Sequence, residues 1–188
     1  MAQAKSLTPT DIERVLRYID SNKNAIRNRA MFHMSLLGGL RAKEIAMLLI
    51  GDVLNSDGTV KQEIRLSAEQ TKGRHGRTIY LSQKLRDELA YYLKFKSVLF
   101  PDRPLFATRS KAQFTPNTLA QHFWWMYRNA GVSGASSHSG RRSFITTLAS
   151  KGVGVRVLAS LAGHFSISTT QRYIDVNDDM KRQAVNLM

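Results

Sequence analysis

Four side chains between residues 138 and 173 have the types and order to perform chemistry on a phosphate: His138, Arg141, His164 and Tyr173. His138 and Arg141 are three residues apart. Behind them Phe144, Ile145 and Leu148 repeat at helical spacing, which predicts a helix over 138–150. Both side chains then share one face of its first turn, where unsatisfied backbone N–H groups already favour an anion. A Gly163-His164 step follows, then a polar run from Ser166 to Thr170 that leads to Tyr173. A tyrosine placed there reads as a nucleophile toward the bound phosphate. Taken singly, each of these residues has a plainer reading, since a tyrosine near a helix end is normally a packing residue with a wet hydroxyl.

Several helices must hold these groups in place. Thr8 or Thr10 with Pro9 opens a helix over 8–20, with Ile12, Val15, Leu16 and Ile19 as its apolar stripe. A second helix over 25–37 turns Ile26, Ala30, Met34 and Leu37 inward, and its His33 is given no role. Gly38-Gly39 breaks it, and a new helix starts at Leu40-Arg41. An arginine just after a glycine break can be aimed into a cleft, with Glu44 one turn on to hold basic groups. The plainer alternative is a surface pair worth a few tenths of a kcal/mol. Residues 60–82 change period: Ile64 and Leu66, then Ile79 and Leu81, alternate with polar residues and predict two strands. The connection carries Lys72, Arg74, His75 and Arg77, a basic hairpin tip that is either solvated or touches a nucleic-acid backbone.

Further helices are predicted over 83–97 and from Thr115 to Ala130. Leu119, Phe123, Trp124 and Tyr127 of the second are read as core rather than as a stacking platform, and His122 with them. Pro104-Leu105-Phe106 reads as a short buried anchor. Helices over 155–162, over 168–174 carrying Tyr173, and over 177–187 with Met180, Ala184 and Leu187 complete the chain. The fold class expected is mainly α with a small antiparallel β-sheet (α+β).

Composition narrows the function. The 188 residues include 28 Lys and Arg against 14 Asp and Glu, a formal charge of +14, and a chain this basic attracts polyanions by counterion release. There is no cysteine, so disulfide and thiolate chemistry are excluded. No apolar run reaches about 18 residues and the start has no signal-peptide core, so a cytoplasmic protein, nucleoid-associated when on DNA, is expected. A metal-dependent nuclease is disfavoured, because the acidic residues form no cluster and no His-Glu-x-x-His occurs; no cofactor or metal is expected.

His138-x-x-Arg141, Gly163-His164 and the Ser/Thr run into Tyr173 together resemble the C-terminal motif of the tyrosine recombinases, the phage-integrase family. Gly39-Leu40-Arg41-Ala42-Lys43-Glu44-Ile45 resembles the family's first-arginine box. Thr71-Lys72-Gly73 resembles its β-hairpin lysine. The resemblance covers about residues 8 to 176. It implies the catalytic-domain fold of these DNA breaking–rejoining enzymes and a site-specific recombinase or integrase acting on double-stranded DNA. Arg41 and Arg141 would neutralise phosphate oxygens, His164 would add a donor, and Tyr173 would attack. His138 would accept the phenol proton, Lys72 would protonate the leaving oxygen, and Glu44 would support them. Arg74, His75, Arg77 and Arg142 are expected DNA contacts. The covalent link would be at the 3′ phosphate, leaving a 5′ hydroxyl. The alternatives are a relaxing topoisomerase of the type IB kind and a DNA-binding regulator with little turnover.

Two departures stand out. Gly140 occupies a position where the family more often has leucine. Nothing before residue 8 suggests the helical core-binding domain that integrases usually carry. The expectation is therefore a single catalytic domain over 1–188, either excised or naturally short like the fimbrial-switch invertases. It would be a homotetramer on two DNA sites or a monomer in isolation, with 177–188 as a helix exchanged between subunits.

Overall fold

A computed structural model describes residues 4–71, 75–96, 99–108, 110, 112–174 and 178–186, so Lys72 and Arg74 lie outside the described residues. Helix α1 (Pro9–Asp20) begins as its sequence dictates. Thr8 Oγ1 accepts from the Asp11 N–H at 3.1 Å, and Asp11 accepts in return from the Thr8 N–H at 3.0 Å. Pro9 supplies the fixed φ of the first turn. Val15 and Ile19 are fully buried, with Ile12 and Leu16 packed beside them.

Helix α2 (Ala25–Leu36) runs through the middle of the molecule. Met31, Phe32, His33, Met34 and Ser35 are buried in succession, which only a helix covered on several sides can achieve. Its neighbours are α1, α3 (Ala42–Met47), α5 (Gln83–Lys94) and α7 (Ser139–Ser150). His33 lies 3.4 Å from Glu88 of α5, and burial holds its pKa below the ordinary value.

Gly140 explains how α7 comes so near to α2. A Cβ there would stand 2.6 Å from Ser35 Oγ and 2.9 Å from Ser35 Cβ. The missing leucine is thus a packing requirement of this chain. Gly140→Leu is expected to destabilise the protein by about 1–3 kcal/mol through overpacking, measured as a lower urea midpoint with unchanged slope.

A one-turn helix α4 (Ile50–Val53), not anticipated from sequence, leads into β1 (Glu63–Leu66). β1 pairs antiparallel with β2 (Arg77–Tyr80), Ile64 opposite Ile79 and Leu66 opposite Arg77. Ile64, Leu66 and Ile79 are buried, as their alternation requires. The anchor at Leu105 and Phe106 is fully buried, and the Leu105 N–H donates to the Leu48 carbonyl at 2.8 Å.

Helix α6 (Pro116–Asn129) buries Leu119, Phe123, Met126 and Tyr127. Trp124 departs from the expectation: it is 43% exposed and Trp125 51%. The buried stripe is complete without them. The two indoles instead meet edge to face at 4.7 Å under the Arg128 guanidinium. His122 is half-buried, with Nε2 3.2 Å from Asn28 Oδ1.

After α7 come α8 (Val155–Ala162), α9 (Ile167–Gln171) and α10 (Asp178–Val185). Helix α9 ends before Tyr173, which sits in the turn beyond it with its N–H on the Thr170 carbonyl at 2.9 Å. In α10, Ala184 and Val185 are exposed; Leu187 lies outside the described residues. No helix among the described residues is long and apolar enough to cross a membrane.

Candidate active site

Glu44 is the centre of the site. It is fully buried in the first turn of α3 and folds back to accept from the Arg41 backbone N–H at 2.7 Å. Arg41 Nη1 donates to its Oε1 at 2.8 Å. Arg77, the first residue of β2, donates from Nε to Oε1 at 3.0 Å and from Nη2 to Oε2 at 2.8 Å. Burial pushes the Glu44 carboxyl upward, but Arg77 and Arg41 outweigh it and hold the pKa below its ordinary range.

A second anchor is the C-terminus of α8, whose unpaired carbonyls carry the negative end of the helix dipole. Arg77 Nη1 donates to the Leu161 carbonyl at 2.6 Å. Arg41 Nη2 lies 3.5 and 3.4 Å from those of Ala162 and Gly163. Arg141 donates to the Ala162 carbonyl and, from Nη1, to the Gly39 carbonyl at 2.7 Å. Three guanidinium groups therefore converge on one carboxylate and one helix end, leaving positive charge uncompensated. Arg141 is only 5% exposed. Its burial, with Arg41 and Arg77 nearby, brings its pKa down to about 9, so it remains a cation at neutral pH.

Gly163 ends α8 in the left-handed conformation at φ 59°. His164 follows, its Nε2 3.0 Å from Arg141 Nη2 and its Nδ1 2.9 Å from Oγ1 of the fully buried Thr170. Burial, followed by Arg141, Arg41 and Arg77, lowers the His164 pKa to about 4, so the ring is neutral at pH 7. A guanidinium can only donate. His164 Nε2 is therefore the acceptor, and the ring proton sits on Nδ1 toward Thr170. The expected donor to a phosphate is thus an acceptor here. An anion bound against Arg141 would favour protonation at Nε2 and reverse that role.

Tyr173 is half-buried, its ring stacked on that of His164 with centroids 5.8 Å apart and planes at 23°. The Arg142 guanidinium lies 5.1 Å from the same ring centre. His138 is exposed at the start of α7, one turn before Arg141, its backbone N–H 3.3 Å from Ser136 Oγ. Beside these groups is a cavity of about 500 Å³ lined by Arg41, Thr71, His75, Arg77, His164 and Phe165.

The structure brings Arg41, Glu44, Arg141, His164 and Tyr173 together around the end of α8. His75 lies at the rim, edge to face with Phe165 at 4.8 Å. Arg77 corrects the expectation of an outward DNA contact: its side chain is 8% exposed and is engaged by Glu44 and backbone carbonyls. Thr170 and Phe165 were not singled out, although Thr170 belongs to the polar run before Tyr173. A larger cleft of about 630 Å³ lies between α2 and α5, but the Arg29–Glu88 pair spans its wall. Among the described residues, no group of three His, Asp or Glu could hold a metal ion.

Such a site gathers guanidinium groups, a histidine and a tyrosine ring on a mostly helical frame. The phage integrase family profile matches residues 5–180, and the chain belongs to that family, the tyrosine recombinases. It is 30% identical over 185 residues to the tyrosine recombinase XerA of Pyrococcus furiosus, covering 96% of this chain and 60% of that protein. The tyrosine recombinase XerD of Rickettsia conorii is 29% identical over 181 residues, covering 88% and 57%. The chain spans about 60% of the length of such relatives. The crystal structure of XerA recombinase matches with a TM-score of 0.78 at 22% identity, covering 100% of this chain and 64% of that one. A Tn1549 transposon integrase in complex with a circular intermediate DNA matches with a TM-score of 0.76 at 19% identity, covering 100% and 67%. The fold is that of a tyrosine recombinase catalytic domain.

Proposed function

We propose that this chain is the strand-transferring domain of a site-specific DNA recombinase that cuts and rejoins duplex DNA through Tyr173. The observation that carries this reading is the convergence of Arg41 and Arg141 on the end of α8, with Tyr173 stacked on the adjoining His164. In the reaction the Tyr173 Oη–P bond forms and the bond from phosphorus to the 5′ oxygen breaks. The phenol proton passes to His138, and the leaving 5′ oxygen takes a proton from Lys72. The free 5′ hydroxyl then attacks a second phosphotyrosyl bond, so strands are exchanged without net hydrolysis. The two guanidinium groups stabilise charge on the non-bridging oxygens, each able to pair with two of them.

His75 and Arg142 would contact the DNA backbone beside the cavity, and Arg74 would join them. The chain would assemble as a tetramer on two sites, α10 being the segment exchanged between copies. It would work in the cytoplasm on the nucleoid.

The test is a nicked duplex in which cleavage releases a short fragment and traps the intermediate. A covalent protein–DNA band on a denaturing gel, formed in EDTA and mapped by mass spectrometry to the peptide containing Tyr173, is expected. Binding of cognate attachment DNA without any band would favour the regulator; plasmid relaxation without strand exchange would favour the topoisomerase. Arg141→Lys is expected to slow band formation about 10²–10³-fold. One ammonium cannot span the Gly39 and Ala162 carbonyls and His164 together.

A further inference from the structure

We propose that Arg77 is a positioning residue for this site: through Glu44 it sets the direction of the Arg41 guanidinium, and it locks the start of β2 to the carbonyl end of α8. The inference rests on the strand-transfer reading for its consequence, but its geometry stands independently. Arg77 places four of its five N–H groups on both oxygens of Glu44, the Leu161 carbonyl and the Gly39 carbonyl, which is 3.4 Å from Nη2. These acceptors come from three places: the turn before α3, α3 itself and the end of α8. A planar fork can hold all of them in one orientation, whereas an ammonium acts as a point charge.

Arg41 depends on the same carboxylate. Its Nη1 shares Glu44 Oε1 with Arg77 Nε, at 2.8 and 3.0 Å. With Arg77 in place, Glu44 cannot rotate to follow Arg41, so Arg41 keeps Nη2 over the Ala162 and Gly163 carbonyls. Gly163 is fitted to the same arrangement. A Cβ there would stand 2.5 Å from Arg77 Cδ, so the backbone that presents His164 lies directly against the Arg77 stem. Residues Arg41 and His164 thus both take their place from Arg77, which lines the cavity without being free to leave Glu44.

Arg77→Lys keeps the charge and is the informative variant, with folding checked by thermal melting. At saturating DNA, Tyr173 adduct formation is expected to slow about a hundredfold, the scale of a 1 Å misplacement, while affinity for the duplex stays close to wild type. In an Arg41→Ala background, Arg77→Lys should add little further loss, because the two act through one path. Losses that multiply, or weakened DNA binding with an unchanged saturating rate, would overturn the proposal and restore Arg77 as a direct DNA contact. A second measurement does not need catalysis: the Glu44 carboxyl is followed by carbon-13 NMR against pH. It is expected to titrate at higher pH in Arg77→Lys than in wild type, and an unchanged titration would also overturn the proposal. If the wild type forms no adduct, the strand-transfer reading fails, whereas the Glu44 titration still decides whether Arg77 holds that carboxylate.

Discussion

Tyr173→Phe is expected to abolish the covalent protein–DNA band while leaving DNA affinity and thermal stability unchanged. The substitution removes one oxygen and keeps the ring. The ring's contacts are with the His164 face and the Arg142 guanidinium, and neither depends on the hydroxyl. A free phenol loses its proton only near pH about 10, so attack at neutral pH needs a proton acceptor together with cations. Arg141 and Arg142 supply charge near the ring, and His138 is the acceptor proposed for it. Phenylalanine offers no nucleophile, so the loss is total rather than partial, and no change of pH restores it. The check is the same nicked duplex, run beside wild type with binding measured on intact DNA. A band of wild-type intensity in the variant would assign the bond to another of the six tyrosines and remove the basis of the proposed mechanism.

What the amino-acid order disclosed, and what it withheld, divides along physical lines. Helix starts were legible where a cap and a proline act locally: Thr8 with Pro9 and Thr115 with Pro116. The two strands were legible because Ile64, Leu66 and Ile79 alternate on a half-buried sheet. The candidate site residues could be named because their types and order suit a phosphate and resemble the family's motifs. Their directions could not. Nothing local to Arg77 says that it turns inward, since its acceptors are 33 and 84 positions away in Glu44 and Leu161. The protonation of His164 likewise depends on burial and on Arg141, which approaches from another helix. Trp124 failed for a different reason. Helical spacing marks a stripe, but one stripe already filled by Leu119, Phe123, Met126 and Tyr127 leaves an adjacent aromatic in solvent.

Glu44→Gln is the second large effect, and it falls on stability as well as chemistry. Among the described residues, Glu44 is the carboxylate that Arg41 and Arg77 share, and it has no exposed surface. Glutamine keeps the volume but removes the charge. Its amide nitrogen would also place donors against donors at one of the two positions. Breaking a buried pair in this way costs about 3–5 kcal/mol. For a chain of this size that corresponds to a fall in melting temperature of roughly 6–20 °C. The dependence on pH gives a second signature. The folded Glu44 carboxyl has a pKa below its ordinary 4.5, so it is the ionised form that the fold favours. That stabilisation is fully present above about pH 4.5 and is lost as pH falls through the folded value, because the unfolded chain then binds more protons. Wild type and variant should therefore differ most near neutrality, and their stabilities should converge on acidification. A melting curve for Glu44→Gln that tracks wild type at every pH would mean that Arg41 and Arg77 find other acceptors. In that case the carboxylate would not be the centre of the site.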